Sequence, residues 1–114
     1  MIFDRYDVVR VPFPFSDREA TKNRPALVLS SRAMFNHKTG HSVLAMITSA
    51  KTGPWALDCP IADLEDAGLR VPSVVRFKLF TLDHRLIRAT LGRLSARDQS
   101  TVHDRVRGLF GILE

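Results

Sequence analysis

Short apolar runs, separated by polar turn residues, occupy most of the chain, and this pattern predicts a sheet of short strands. The runs lie in YDVVRVPFPF, RPALVLS, HSVLAMITS, PSVVRFKLFTLD and LIRATLGRLS. Their β-branched and aromatic residues favour extended structure. HSVLAMITS is nearly continuous in apolar residues, which indicates a strand buried on both faces. A further short strand is predicted in ALDCPI.

Glycine and proline divide these runs and mark two single helical turns. Pro12 and Pro14 are predicted to end the first strand, because proline has no N–H for a ladder, and Pro25 to begin the second. SRAMFNHKTG predicts a helical turn that ends near Gly40, and ADLEDAGL predicts one that ends at Gly68. SDREATKN and KTGPW are predicted loops.

The period of the pattern changes near the C-terminus and predicts one longer helix. Ser95 is a good N-cap, and Asp98 suits the positive start of a helix. The apolar residues that follow lie at helical spacing, and they are Val102, Val106, Leu109, Phe110 and Leu113. The predicted fold class is therefore α+β, mainly β: a small β-barrel with a C-terminal helix, in a single domain spanning residues 1–114.

Composition excludes several classes of protein. No apolar run approaches the roughly 20 residues that a membrane helix needs. The N-terminal MIFDRYD has no long apolar segment, so no signal peptide is predicted. Cys59 is the single cysteine, which excludes an intrachain disulfide and a cysteine-based zinc site. Together these features predict a cytoplasmic protein without membrane attachment.

The positive charge is unevenly distributed. The chain carries 17 Lys+Arg against 12 Asp+Glu, a formal net charge of +5. The segment from Arg18 to Lys51 contains six cations and only one acid, Glu19, so it alone carries +5. Such a segment is either a solvated basic face or a site for a polyanion, and arginine suits phosphate because its planar fork binds two oxygens.

Two features of the sequence have the residue types for phosphate chemistry. Arg24 precedes Pro25, and the proline holds it in extended structure at the start of a strand. Thr48 and Ser49 end the MITS strand, where their hydroxyls either cap the strand or bind a phosphate oxygen. No metal or other cofactor is predicted, because His37 and His41 share a polar loop but have no obvious third ligand.

The ordered series of motifs resembles the MazF/PemK family of toxins from type II toxin–antitoxin systems. The series is YDVVRVPFPFSD, KNRPALVLS, AMITS, GLRVPSVVRFKLFTLD, LIRATLGRLS and the closing helix. It extends from about Tyr6 to Leu113. No single motif is specific, and the order and spacing carry the resemblance.

The resemblance implies an SH3-like barrel that forms a homodimer and acts as a metal-independent, sequence-specific endoribonuclease on single-stranded RNA. A 2′-hydroxyl attacks the adjacent phosphate and leaves a 2′,3′-cyclic phosphate and a 5′-hydroxyl end. The family's catalytic arginine corresponds to Arg24 and its catalytic threonine to Thr48, with Ser49 as a neighbouring contact. A cognate acidic antitoxin is expected to occupy the same groove and neutralise the toxin.

Several of the remaining candidate site residues have two readings. Asp17 and Glu19 are possible bases for the 2′-hydroxyl, or else solvated loop acids. Many relatives carry an acid shortly after the SVVR arginine, whereas this chain reads Arg76-Phe77-Lys78-Leu79. Arg76 and Lys78 are therefore read either as contacts to RNA phosphates or as surface strand charges. The other predicted RNA contacts are Lys22, Phe15, Arg18 and Lys51.

Two aromatic positions and one other function stay open. Phe13 and Phe15 either flank the RNA groove or face the core, with at least one of them expected in the core, and Trp55 is either a groove aromatic or a packed anchor. The alternative function is a non-enzymatic toxin like CcdB, which uses the same fold to bind and poison DNA gyrase. The paired RP and ITS motifs favour the ribonuclease.

Overall fold

The computed structural model describes residues 3–12 and 22–112, and six strands in this part of the chain form one antiparallel sheet. The strands are β1 (Asp7–Pro12), β2 (Asn23–Val28), β3 (His41–Ser49), β4 (Cys59–Pro60), β5 (Ser73–Asp83) and β6 (Ala89–Arg93). Their order across the sheet is β4-β5-β3-β2-β1-β6. The predicted mainly β fold with a C-terminal helix is confirmed.

Helical segments are short except at the C-terminal end. A π-helical turn, Arg32–Asn36, continues into α1 (His37–Thr39), and α2 spans Leu64–Ala67. Gly40 and Gly68 end these turns with φ of 70° and 75°, as their positions in the sequence predicted. A 3-10 turn, His84–Leu86, follows β5, and α3 (Ala96–Leu109) has 14 residues. No helix in the described ranges is long and apolar enough to cross a membrane.

Two irregularities in the pairing curl the sheet into a half-barrel. The register of β1 against β6 shifts between Val8 and Val9. The register of β3 against β5 shifts between Ala45 and Met46, so that Ala45 faces Leu79 while Met46 faces Arg76. Extra residues of this kind increase the local twist of a sheet and bend its strands.

Helix α3 covers one face of the sheet, which we call the helix face. Its side chain Val102 is buried among strand residues that include Val8, Leu27, Ile47 and Val75. Val106 packs at the margin of the same cluster, whereas Leu109 and Phe110 are largely exposed. The apolar stripe predicted for this helix therefore reaches the core at Val102 and Val106 but not at its C-terminal end.

The start of α3 is fastened to the loop before α2. Ser95 caps the helix by accepting from the backbone N–H of Asp98. The buried Asp98 carboxylate accepts from the backbone N–H groups of Ala62 and Asp63, each at 2.9 Å. Asp63 in turn binds Arg97 through two nitrogens, at 2.9 and 2.8 Å, and this pairing lowers the pKa of Asp63 to about 2.

The opposite face of the sheet, which we call the second face, has its own smaller core. Val9 and Val11 of β1, Ala26 and Val28 of β2, and Leu44 of β3 are buried there with Phe3. Because β3 contributes Leu44 to this core and Ala45 and Ile47 to the helix face, the prediction of a strand buried on both sides is confirmed.

Glycine is required where α2 approaches β6. A Cβ on Gly92 would lie 2.4 Å from the backbone oxygen of Asp66, and one on Gly68 would lie 2.0 Å from the backbone oxygen of Leu91. Real side chains do not tolerate such contacts, so both positions must lack a Cβ. Gly68 was expected from its role as a helix end; the packing role of Gly92 was not.

His84 makes the stability of this fold depend on pH. Its Nε2 lies 2.7 Å from Oγ of the buried Ser42, and its ring meets Phe3 edge-on at 5.0 Å between centroids. Burial lowers the pKa of His84, with a smaller contribution in the same direction from His41 and an opposing one from Asp83. A lowered pKa means that protonation favours the unfolded chain.

We therefore expect the full stabilising contribution of neutral His84 above the unfolded histidine pKa of about 6.5. The free energy of unfolding should then fall as the pH decreases through the lower pKa of the folded state. Urea midpoints at pH 7.5 and pH 5 measure this. His84→Gln should reduce the difference between the two midpoints, and the exposed His103→Gln is the matched control. An equal pH dependence in wild type and His84→Gln would contradict the prediction.

Candidate active site

Arg24 and Thr48 lie on neighbouring strands, and the sheet register brings them together. The ladder between β2 and β3 pairs Ala26 with Met46. Arg24 lies two residues before Ala26, and Thr48 lies two residues after Met46, just outside this ladder. The start of β2 and the end of β3 adjoin each other, so the two residues lie at neighbouring ends of adjacent strands.

Both side chains belong to the second face. Side chains on a strand alternate between faces, so Arg24 shares a face with Ala26 and Thr48 shares one with Met46. Ala26 and Met46 both pack in the core of the second face. Arg24 and Thr48 are half-buried at the end of this face, where β2 begins and β3 ends.

The sequence predicted that the second strand begins at Pro25. The strand begins at Asn23 instead, so Pro25 lies inside β2. Arg24 pairs with Val11 of β1, and Pro25 pairs with Arg10. The ladder between β2 and β3 starts only at Ala26, so Pro25 pairs with β1 but not with β3. A proline, which has no N–H to donate to a second neighbouring strand, is tolerated there. The expectation that Arg24 is held in extended structure is confirmed.

The hydroxyls at the end of β3 have different surroundings. Oγ of the exposed Ser49 accepts from the backbone N–H of Lys51 at 3.2 Å, so Ser49 helps to close the turn after the strand. Thr48 Oγ1 lies 3.2 Å from Oγ1 of Thr52. When Thr52 is the donor in this pair, the Thr48 hydroxyl keeps its own proton to donate to a phosphate oxygen.

Arg76 is buried, which corrects both readings made from the sequence, since each put it on the surface. Only 5% of the residue is exposed. Its Nε and Nη2 donate to the two carboxylate oxygens of Asp58 at 3.1 and 2.8 Å, and Nη2 also donates to the backbone oxygen of Gly53. Hydrogen bonding to Asp58 raises the pKa of Arg76, so the guanidinium stays charged.

Lys78 follows Arg76 on the second face and contacts an aromatic ring. Its ammonium nitrogen lies 4.5 Å from the centroid of the Trp55 ring. This is a cation–π contact, and it links β5 to the loop that follows β3. Sequence reasoning singled out Lys78 and Trp55 separately and did not predict that they meet.

Asp58 is the residue that sequence reasoning missed. It stands between Leu57 and the buried Cys59, and its only signal was an acid within the predicted short strand ALDCPI. A buried arginine requires an acidic partner, because an uncompensated buried charge is costly. Arg76 has that partner 18 residues earlier in the chain, in the loop between β3 and β4.

Of the other residues predicted to contact RNA, two are exposed lysines and the rest lie outside the described residues. Lys22 is exposed just before β2, and Lys51 is exposed in the turn after β3. Lys51 also lines a cleft of about 280 Å³ with Ser49, Ala50, Val71 and Pro72. Phe13, Phe15, Asp17, Arg18 and Glu19 lie outside the described residues, so both possible bases and both phenylalanines stay predictions.

No cluster of three or more potential metal ligands occurs among residues 3–12 and 22–112. His41 donates from Nδ1 to the backbone oxygen of Thr39 at 3.0 Å, and its Nε2 lies 3.9 Å from the carboxylate of Asp83. His37 lines a separate cleft of about 430 Å³ with Asp4, Ser31, Arg32 and Ala33. The segment that forms it ends where β3 begins, away from Arg24 and Thr48.

A curled antiparallel half-barrel with a C-terminal helix is the fold of known toxin structures. MazE–MazF from Deinococcus radiodurans matches with a TM-score of 0.73 and 26% identity, covering 98% of each chain. Mycobacterium tuberculosis toxin MazF-mt6 matches with a TM-score of 0.71 and 20% identity, covering 93% of this chain and 97% of that one. An endoribonuclease in complex with its cognate antitoxin from a mycobacterial species matches with a TM-score of 0.73 and 15% identity, covering 97% and 95%.

The family is shown by the sequence itself. The profile described as "PemK-like, MazF-like toxin of type II toxin-antitoxin system" matches residues 4–110. The chain therefore belongs to the PemK-like, MazF-like toxin family, which confirms the resemblance found in its motifs. Comparison with curated protein sequences returned no match. The gyrase-binding alternative receives no support from these comparisons.

We expect the Arg76–Asp58 pair to be essential for stability. Arg76→Ala leaves a partly buried carboxylate without its partner, which typically costs about 3–5 kcal/mol. Asp58→Ala, which leaves the buried guanidinium unpaired, should cost a similar amount. The double variant Arg76→Met with Asp58→Ala should recover part of the loss, because no uncompensated charge remains.

Urea unfolding followed by circular dichroism measures these changes. The matched control is Arg85→Ala, because Arg85 also pairs with an aspartate, Asp83 at 2.8 Å, but is almost fully exposed. Exposed pairs contribute at most about 1 kcal/mol. A loss in Arg76→Ala no larger than that in Arg85→Ala would refute the essential role of the pair.

Proposed function

We propose that this toxin is an endoribonuclease that cleaves single-stranded RNA by attack of a 2′-hydroxyl on the adjacent phosphate. The observation that supports the proposal is that Arg24 and Thr48 lie on the second face, each two residues beyond the last β2–β3 pair, Ala26 with Met46. The mycobacterial structure with the same fold is itself described as an endoribonuclease. That description supports the reaction class for this chain.

In the proposed reaction, the bond from the 2′-oxygen to phosphorus forms as the bond from phosphorus to the 5′-oxygen breaks. The products are a 2′,3′-cyclic phosphate and a 5′-hydroxyl end. The proton of the 2′-hydroxyl passes to a base, for which Asp17 and Glu19 are the candidates, and the leaving 5′-oxygen takes up a proton. No bond is oxidised or reduced.

Arg24 acts by electrostatics in this scheme. Negative charge grows on the non-bridging oxygens as phosphorus becomes five-coordinate, and a guanidinium held at the start of a strand is already in position to receive it. Thr48 donates a hydroxyl hydrogen bond to the same phosphate. An arginine is a poor proton donor near neutral pH, so the charge of Arg24 is its main contribution.

The proposed partners follow from charge and from the relatives. Exposed Lys22 and Lys51 lie at the end of the sheet that carries Arg24 and Thr48, and they attract the RNA backbone. The Deinococcus MazF was solved with MazE, and the mycobacterial enzyme with its cognate antitoxin. We propose that a homodimer of this chain binds an acidic antitoxin segment, which occludes the same basic site.

Arg24→Ala should reduce the rate of RNA cleavage by about 10²–10³, because it removes one charge-stabilising donor from the transition state. Arg24→Lys should fall between wild type and Arg24→Ala, since it keeps the charge and loses the two-pronged geometry. Cleavage of a single-stranded RNA under single-turnover conditions, with the fold checked by circular dichroism, measures both.

Arg10→Ala is the matched control for Arg24. Arg10 is an exposed arginine on the adjacent strand β1. It lies two residues after Val8, which packs on the helix face, so Arg10 belongs to the face opposite Arg24. We expect wild-type cleavage from it. Wild-type cleavage by Arg24→Ala, or intact total RNA beside inhibited gyrase supercoiling, would rule out the proposed reaction.

Thr48→Ala should slow cleavage by roughly ten- to a hundredfold, the usual cost of losing a hydrogen bond to a charged group. Thr48→Ser should retain most of the rate, because it keeps the hydroxyl. The ratio of the two rates separates a hydroxyl contact from simple packing. Equal rates in Thr48→Ala and Thr48→Ser would show that the hydroxyl has no part in the reaction.

A further inference from the structure

Trp55 is the only tryptophan of the chain, and its side chain is exposed. It lies in the loop between β3 and β4, and 45% of the residue is exposed. The ammonium group of Lys78 lies 4.5 Å from the centroid of its ring. Because that cation lies over one side of the indole, the exposed surface belongs to the opposite side and the edge.

The loop that carries Trp55 is fastened to the sheet by the Arg76–Asp58 pair. Arg76 donates to the backbone oxygen of Gly53, and Asp58 Oδ2 accepts from the backbone N–H of Trp55 at 3.2 Å. The residues on both sides of Pro54 are therefore tied to the same ion pair. Proline restricts the backbone further, so the indole is presented from a stiff segment.

Backbone strain at the end of this loop is consistent with tight tethering. Leu57 has a φ of 68°, in the left-handed region that non-glycine residues rarely adopt. Such conformations persist where the surrounding structure holds them, and they are common at binding sites. Here the next residue is Asp58, whose carboxylate is held by Arg76.

The loop also begins at the proposed catalytic residues. Thr52 Oγ1 lies 3.2 Å from Thr48 Oγ1. Met46, which pairs with Arg76, lies two residues from Thr48 along β3, and Lys78 lies two residues beyond Arg76 along β5. Thr48 pairs with Val74, and Lys78 lies four residues further along β5, so the indole over Lys78 lies about 13 Å along the same face from Thr48.

We propose that Trp55 is a base-stacking platform for the RNA substrate, held in position by Lys78 and by the Arg76–Asp58 pair. The inference rests on the proposed function and deepens it by naming a residue that binds a nucleotide near the one that is cleaved. Aromatic side chains beside cationic groups are the usual means of holding single-stranded RNA, because every base has a flat face to stack. Lys78 and Arg76 act as positioning residues.

The single tryptophan allows a direct test by fluorescence. The probe is a 12-nucleotide single-stranded RNA of random sequence with a 2′-O-methyl group on every ribose, which removes the attacking hydroxyl. We expect this RNA to quench the fluorescence of Trp55 in the wild-type protein. The quenching should saturate at the same concentration as the fluorescence anisotropy of a labelled copy of the RNA. Stacking of a base on the indole is the physical cause.

Variants measure how much the indole contributes to binding. Trp55→Ala should weaken binding by roughly ten- to a hundredfold, which is the usual range for one stacked base, and Trp55→Phe should weaken it less. Met34→Ala is the matched control, since Met34 is a large exposed apolar residue in the π-helical turn before β3. It should bind as wild type does.

Lys78 variants test the positioning role through the spectrum of the indole. Lys78→Met keeps the aliphatic stem without the charge, so it should shift the emission of free Trp55 and weaken binding. Lys78→Arg should restore both, because arginine also stacks on aromatic rings. An unchanged spectrum and affinity in Lys78→Met would overturn the role assigned to Lys78.

The base platform is overturned if anisotropy shows binding while Trp55 emission does not change, or if Trp55→Ala binds as tightly as wild type. It is also overturned if Trp55→Ala dissociates a dimer in light scattering while RNA affinity stays the same, which would make Trp55 a protein contact. If Trp55→Ala fails to fold, the quenching of the wild-type protein and the affinity of Trp55→Phe still test the base platform.

Cleavage assays separate this inference from the proposed function. If Trp55→Ala cleaves RNA with the same kinetics as the wild-type protein, only the base platform is overturned. If the wild-type protein itself does not cleave RNA, the proposed function is overturned.

Discussion

The antiparallel register of β3 against β2 and β5 is the constraint on which the site depends. β3 contributes to both cores, so a slip of one residue would exchange its two buried faces and would move Leu44 to the helix face and Ile47 to the second face. Burial on both sides therefore holds the register strongly. That register pairs Ala26 with Met46 on one side and Met46 with Arg76 on the other, so the packing that stabilises the sheet also sets the strand ends that carry the proposed catalytic residues, Arg24 and Thr48.

The Arg76–Asp58 pair extends this rigid frame to a loop. Loops of this size are usually the mobile part of a small β protein, yet here the backbone at Gly53 and at Trp55 is bonded to one buried ion pair. A buried pair is a poor source of stability by itself, but it is directional and fixes where the loop lies. The cost is that both partners must be retained, since either charge alone would be buried without compensation.

Most of the fold could be predicted from sequence because its signals are local. The apolar run of β3, the glycine ends of the two short helical turns and the Ser95 cap of α3 each depend on residues close together in the chain, and the structure has all of them. The prediction was less good where contacts are distant. Arg76 looked like a surface charge because its partner lies 18 residues earlier, and Gly92 gave no sign that α2 packs against it.

The sequence by itself determined the family, the order of strands along the chain and the two residues most suited to phosphate chemistry, because periodicity and the RP and ITS motifs are properties of contiguous residues. The tertiary structure decided which of the remaining polar residues act together. The fold put Arg24 and Thr48 at neighbouring ends of β2 and β3, buried Arg76 against Asp58 and set Lys78 against the ring of Trp55. The physical reason is that burial and ion pairing depend on residues that are distant in the sequence and meet only across the sheet. The local sequence around an arginine or a lysine therefore does not show whether its side chain is exposed or buried against a partner.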